Sequence, residues 1–307
     1  MLSRRAFLQR SSLALAAASC LPSFAYASAA KTGPLGKPIG IQLYTVREET
    51  SKDLLGTLQR LSQIGFREVE LAGYYGKSAK ELRTMLTDLD LTPTSTHQGI
   101  LELLEDTQRK IDYVAEVGVK YLIVPFPAVP DNRFENQPKG STQTIANSMT
   151  LDDWKWMAES LNKVGEISKK AGIRTGYHNH NLEFRTIDGA VAFDKLIEWT
   201  DPELVTIELD IAWVVAAGFD PIAYLQKHAE RISLLHVKDV KKDIETLVDV
   251  VETTTTEVGS GQVDWQRLFA ACNPKYITNY YYEQEHFERA ILDAAKISFD
   301  YLTKLKV

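Results

Sequence analysis

Cysteine is scarce in this chain of 307 residues. Cys20 and Cys272 are the two present, and Cys20 falls in an N-terminal stretch of its own character, so no disulfide framework is available and the fold must hold by packing. Positive charge is also in short supply. Lys and Arg number 35 against 41 Asp and Glu, a net charge of −6, which leaves no electrostatic footprint for a phosphate backbone and makes nucleic acid an unexpected partner. Beyond the N-terminal stretch no apolar run is long enough to cross roughly 30 Å of hydrocarbon, so no stable membrane span is expected. Solenoid repeats and low-complexity tracts are missing, apart from the run from Thr253 to Thr256, which reads as loop. What is present is ordinary for a globular chain able to bury one large core: 44% hydrophobic and 25% charged residues.

The N-terminal stretch reads as an address. Ser3-Arg4-Arg5-Ala6-Phe7-Leu8 precedes an Ala-rich apolar segment, 11–21, and then Ala25-Tyr26-Ala27, a small-residue pattern that a signal peptidase could cut. Residues 1–30 therefore resemble a twin-arginine export signal, with residues 31–307 as a single domain and the periplasm as the expected location. A lipoprotein anchor at Cys20 is the lesser alternative, because Ala17-Ala18-Ser19 lacks the Leu usual before a modified Cys. Arg4, Arg5 and Arg10 are the charges of this segment, so the mature chain is more acidic still.

From residue 39 onward short apolar runs alternate with segments of helical period, the pattern of βα units around a parallel sheet. Strands are expected at 39–43, 69–71, 92–96, 121–124, 174–178, 205–209, 232–236 and 277–282, each followed by a helix. The helices include 53–64, 78–88, 101–117, one beginning at 152 and capped by Asp152 or Thr150, and a last one over 287–305. Residues 125–150, rich in Pro and polar side chains, are too long for an ordinary connection and suggest a lid. Eight such units in one domain predict an α/β fold of the (β/α)8 TIM-barrel type. A doubly wound sheet would carry a Gly-rich phosphate loop after its first strand, whereas the turn here reads Gln42-Leu43-Tyr44-Thr45-Val46-Arg47.

Side chains alternate between the two faces of a strand, and the polar residues near the strand ends share one parity. Thr206, Glu208 and Asp210 alternate with Val205, Ile207 and Leu209; His236 and Lys238 share a face with Leu234, and Glu283 and Glu285 with Tyr281. The same rule groups Gln42 with Tyr44, Glu68 with Glu70, Ser95 with His97, and His178 with His180. All fall at or just beyond the carboxyl ends of strands, where TIM barrels build their sites. A single His or Glu there has a bland reading as a rim residue. Together, convergent carboxylates would repel one another in a low-dielectric mouth unless a divalent cation sat among them. Carboxylates with one or two imidazoles suit Mn²⁺, Mg²⁺ or Co²⁺ better than a structural Zn²⁺, although Zn²⁺ stays open.

At these residues the chain resembles the sugar isomerase/epimerase group of the xylose isomerase-like (AP endonuclease 2-type) TIM barrels. The resemblance rests on the stretch from Gly40 to Arg47 and on Tyr177-His178-Asn179-His180-Asn181-Leu182-Glu183-Phe184. It continues through Glu208-Leu209-Asp210-Ile211-Ala212-Trp213, Leu235-His236-Val237-Lys238-Asp239 and Tyr282-Glu283-Gln284-Glu285. It implies a divalent ion held by Asp210, His236 and Glu283, with Glu183 as first ligand and His178, which stands where the ketose epimerases have a Glu, as the alternative. It also implies proton transfer at an α-hydroxy carbonyl through an enediolate. Glu283 would serve as ligand and acid/base, His178 or His180 as the opposite base, and Lys238 on a substrate oxygen. A salt bridge from Lys238 to Asp239 or Glu208 is the plain alternative.

Gln42, Glu70, His97, Trp213 and Glu285 would contact substrate. For Trp213, stacking on a sugar and ordinary helix packing stand about level. Return of the proton gives an isomerase or epimerase; loss of a β-oxygen gives a lyase or dehydratase on keto-sugars or inososes. A hydrolase like endonuclease IV, or a non-catalytic sugar-binding barrel, is a weaker fit. The expected partner is a small neutral sugar or keto-sugar, since no Gly-rich anion nest is present. A homodimer stays open.

Overall fold

The computed structural model describes residues 31–130, 142–242, 244–249, 251 and 253–307. The expected export segment, with Cys20, and the central part of the expected lid lie outside the described residues. Eight parallel strands close into a barrel in chain order: β1 (Gly40–Gln42), β2 (Glu68–Leu71), β3 (Thr92–His97), β4 (Tyr121–Val124), β5 (Arg174–His178), β6 (Val205–Asp210), β7 (Ile232–Val237) and β8 (Asn279–Tyr282). Gly40 opposite Tyr281 closes the ring between β1 and β8. This is the TIM barrel that the alternation predicts, with strand ends within one or two residues of expectation.

Parity sorts the core into two layers. Val205, Ile207 and Leu209 lie in the large apolar core that the helices cover, while Ile123, Leu234 and Tyr281 form a separate cluster. Gly176 is required at its place on β5, because a Cβ there would lie 2.5 Å from Ile123 Cδ1 and 3.1 Å from the Thr206 carbonyl. Register shifts fall between Val69 and Glu70 against β3 and between Ile207 and Glu208 against β7, just before two buried carboxylates. Such irregularities re-aim side chains at barrel rims.

Several helices follow from their caps. Leu54–Ile64 starts at Asp53, which accepts from Gly56 N, and stops at Gly65. Leu151–Lys170 starts at Thr150, whose side chain and that of Asp153 bond each other's backbone N–H in a capping box. The single helix expected over 101–117 is two, Ile100–Glu105 and Thr107–Val117, because Asp106 leaves helical geometry and caps the second by accepting from Arg109 N. Within the expected lid, Thr142–Ser148 is helical. The run from Thr253 to Thr256 is not all loop: Thr255–Thr256 pairs antiparallel with Asp239–Val240 just past β7.

Asp239 organises that corner. Its carboxylate accepts from Val240 N (2.9 Å) and Val263 N (3.2 Å) at one oxygen. The other oxygen accepts from Gly259 N (2.9 Å), Gly261 N (3.2 Å) and Trp265 Nε1 (2.9 Å). Gly261 can come this close only without a side chain, since a Cβ would sit 2.1 Å from Asp239 Oδ1. Beyond β5, Glu183 plays a similar part: one oxygen accepts from Tyr177 OH at 2.8 Å and the other from His180 N at 2.9 Å. Burial outweighs these bonds and pushes its carboxyl up to about 7.

Two expectations follow. Asp239→Asn turns an NH₂ toward backbone donors and should cost about 3 kcal/mol in urea unfolding; a change under about 0.5 kcal/mol, the ordinary surface level, would contradict the anchoring role. Glu183 stays protonated in the native state to a higher pH than in the unfolded chain, so its stabilisation is full below the ordinary Glu value and fades as pH rises toward 7. Glu183→Gln mimics the neutral acid, and its pH–stability curve should fall less between pH 4.5 and 7, by about 3 kcal/mol. Parallel curves for the two proteins would contradict the assignment.

Candidate active site

At the carboxyl ends of β2, β3 and β5–β8 the shared parity brings Glu70, His97, His178, Glu208, Asp210, His236 and Lys238 together, and Glu283 and Glu285 join them just past β8. His236 is the hub. Its Nε2 lies 2.6 Å from Glu70 Oε2 and 3.2 Å from Glu208 Oε2, and its Nδ1 lies 2.8 Å from Glu283 Oε2 and 3.7 Å from Asp210 Oδ2. Gln42 Nε2 donates to Glu70 at 2.8 Å and Ser95 Oγ donates to it at 2.5 Å, so the Glu70 carboxylate is fixed from three sides. Burial alone would raise the Glu70 carboxyl, but His97 and His236 bring it well below the usual range. In turn, the facing carboxylates hold His236 well above its ordinary value against the pull of burial.

Among the described residues two groupings could hold a metal ion, and within each the ligand atoms lie within 4.8 Å of one another. The first is Asp210, His236 and Glu283. The second is His97, His178, Glu208 and His236, two residues earlier on β6 and so one layer lower. In the lower group, His97 Nε2 (2.8 Å), His178 Nδ1 (3.1 Å) and His236 Nε2 (3.2 Å) all converge on Glu208 Oε2. A carboxylate oxygen thus occupies the centre, which makes this layer a hydrogen-bonded support.

The upper group fits a divalent cation. As an imidazolium His236 donates from both nitrogens; a divalent cation that displaced the Nδ1 proton would be held by Nδ1 beside Asp210 and Glu283 while Nε2–H stays on Glu70, the usual relation of a ligating imidazole to a carboxylate behind it. Asp210 Oδ1 caps the helix Ile211–Ala216 by accepting from Trp213 N. Its Oδ2 is buried without a hydrogen bond, although Lys238 Nζ lies 3.0 Å away as an ion pair. Glu208 Oε1 is likewise buried and unpartnered. Two carboxylates and one imidazole are donors of the kind Mn²⁺, Mg²⁺ and Co²⁺ accept.

Glu183 is not brought into this group. Tyr177, one residue out of parity with His178, faces the helix layer, and Glu183 follows it there with both oxygens occupied. Lys238 pairs with neither Asp239 nor Glu208: its Nζ lies 2.7 Å from Glu285, 2.8 Å from Glu283 and 3.0 Å from Asp210. Asp239, one residue along, points to the opposite face and its own five donors. Those carboxylates keep the Lys238 ammonium well above the ordinary Lys value although burial opposes it.

Above the group opens a cavity of about 630 Å³ whose wall includes His97, His178, His180, Trp213, Lys238, Glu283 and Glu285. Gln42 and Glu70 stand behind this wall, Gln42 with its Oε1 accepting from Tyr44 N. Burial and the surrounding cations keep His178 well below its usual value, and burial with the Lys238 ammonium brings His180 down to about 3, so both imidazoles are neutral. His97 is the reverse: Glu70 and Glu208 overcome burial and push it up to about 9. His180 Nδ1 and Trp213 Nε1 are buried without a partner on one wall. Trp213 therefore belongs to the cavity, with its ring 5.2 Å from that of His180.

Sequence reasoning left out Glu208 as a site residue, although its parity with Asp210 marks it. It also left out Phe126, stacked on His180 at 4.7 Å, and Tyr74. Those two lie beyond the strand ends, where no periodicity reports direction.

The chain matches the model of the Xylose isomerase-like TIM barrel family over residues 58–305. A solved sugar phosphate isomerase/epimerase from Parabacteroides distasonis superposes with a TM-score of 0.71 at 26% identity, covering 92% of this chain and 98% of that one. An inosose dehydratase of Clostridium beijerinckii is 27% identical over 229 residues, 69% of this chain and 75% of the relative. That of Geobacillus kaustophilus is 24% identical over 230 residues, 69% and 73% of the two chains. With the closed eight-stranded barrel, the matched span places this chain in the xylose isomerase-like TIM barrel family.

Proposed function

We propose that this protein is a divalent-cation-dependent sugar isomerase or epimerase that moves a proton at the carbon beside the carbonyl of a neutral keto-sugar. The observation that carries the reading is the Asp210–His236–Glu283 group, backed by Glu70 on His236 Nε2 and opening onto a wall where His180 Nδ1 and Trp213 Nε1 have no partner. A sugar hydroxyl would accept from Trp213 Nε1–H, which leaves His180 Nδ1 free to face the reacting C–H.

Asp210, His236 and Glu283 would hold the cation. When bound, it supplies Lewis-acid polarisation of the carbonyl and the adjacent hydroxyl, which acidifies the C–H between them. His180 presents a neutral imidazole with Nδ1 free on the cavity wall, and it takes the proton. The Lys238 ammonium that depresses its basicity faces the same space, so negative charge developing on the substrate offsets that depression as the proton moves. Glu283, kept ionised by Lys238 and His236 despite burial, has no proton to give and would serve as a ligand of the cation, so the His180 imidazolium returns the proton it took. Phe126 backs the His180 ring and fixes its orientation.

A second reading, a lyase, is favoured by His97. Held at about 9 and lining the cavity, it is protonated at neutral pH and can deliver that proton to a departing β-oxygen. The relatives named inosose dehydratase support the same outcome.

The reading is tested on chain beginning near residue 31. Wild type should carry close to one Mn²⁺, Mg²⁺ or Co²⁺ per chain and exchange substrate C–H for solvent deuterium, and Asp210→Ala and His236→Ala should lose both. His180→Ala should keep its metal while kcat/KM falls about a hundredfold or more. Label retained in a product of unchanged mass apart from deuterium identifies the isomerase; loss of water identifies the lyase. A folded wild type that takes up no metal after reloading would overturn the reading.

A further inference from the structure

Lys238 is buried to 1% exposure, and a buried ammonium is costly unless anions surround it. Its Nζ contacts Asp210 Oδ2 at 3.0 Å and Glu283 Oε2 at 2.8 Å. These are the same two oxygens that face His236 Nδ1, at 3.7 and 2.8 Å. A third contact, Glu285 Oε1 at 2.7 Å, lies outside the ligand group, and the Trp213 ring centroid stands 5.1 Å from Nζ.

We infer that Lys238 is a resident counter-cation of the metal site, a positioning residue that assembles Asp210 and Glu283 and yields their oxygens when a divalent ion enters, withdrawing onto Glu285 and the face of Trp213. The inference rests on the metal reading above. Its physical basis is competition: two carboxylate oxygens cannot satisfy an ammonium and a dication together, and two cations sharing them repel strongly in a medium of low dielectric. Glu285 and Trp213 supply the place to go, an anion already in contact and a π-face suited to an ammonium. Lys238 thereby keeps the carboxylates from repelling one another before loading and lowers the affinity for the ion that replaces it.

The test is Mn²⁺ binding by titration calorimetry on wild type, Lys238→Ala, Glu285→Ala and the double variant, each first checked for native circular dichroism. Lys238→Ala should bind Mn²⁺ at least about tenfold more tightly. Glu285→Ala should bind more weakly, because Lys238 loses its outer anchor and stays on Asp210 and Glu283. In the double variant that weakening should vanish, whereas a plain charge effect of Glu285 would persist in both backgrounds. The Mn²⁺-induced rise in Tm should likewise be larger in Lys238→Ala than in wild type.

Equal or weaker binding by Lys238→Ala, or a Glu285 effect of the same size in both backgrounds, would overturn the counter-cation while leaving the metal reading intact. No Mn²⁺ binding by any of the four would overturn both.

Discussion

One imidazole ties the mouth of this barrel together. His236 is wholly buried and lies between Glu70 on its Nε2 side and Glu283 on its Nδ1 side, with Glu208 and Asp210 at its flanks. Each of those carboxylates would be unstable alone at this depth, and each is stabilised by facing a ring that can carry positive charge. Glu70 would keep a proton on Nε2 when a cation displaces the one on Nδ1, so that Nδ1 joins Asp210 and Glu283 around the ion. Gln42 and Ser95 hold Glu70, while Lys238 bridges Asp210, Glu283 and Glu285. The site is a layered charge lattice in which a divalent cation fits the upper layer and the lower layer keeps that upper layer in shape.

The backbone makes such a lattice affordable by geometry. Asp210 opposes His236 across β6 and β7, and His178 opposes Glu208 across β5 and β6, so neighbouring strands deliver complementary groups at contact distance. The register shifts before Glu70 and Glu208 adjust that delivery without breaking the barrel. Outside the ring, Asp239 gathers backbone donors of 259–263 and the Trp265 indole, which secures the chain just past Lys238. Rigidity behind the reacting groups and polar freedom on the wall, at His180 and Trp213, is the arrangement expected of a preorganised site.

Much of this is legible from residue order because strand parity is a strict physical rule. Asp210, His236, Lys238 and Glu283 follow from it, and so does the separation of Leu234 and Tyr281 from the outer core. Glu183 marks the limit of the rule. Five residues past the end of β5, its direction is set by a short 3₁₀ turn and by Tyr177, an outward-facing residue that supplies the hydrogen bond. The partners of Lys238 depended on the same point: Asp239 is adjacent in sequence but of opposite parity, whereas Glu285 is distant in sequence and close in space. Phe126 and Tyr74 reach the cavity from connections whose path only the folded chain defines.

The most direct test of the central claim is the bonding state of His236 in the loaded protein. With cadmium as a diamagnetic ion and nitrogen-labelled histidine, the account predicts scalar coupling between the cadmium nucleus and Nδ1 of His236, with the proton on Nε2. Coupling at Nε2, or a His236 ring that shows no coupling while cadmium binds elsewhere, would contradict it.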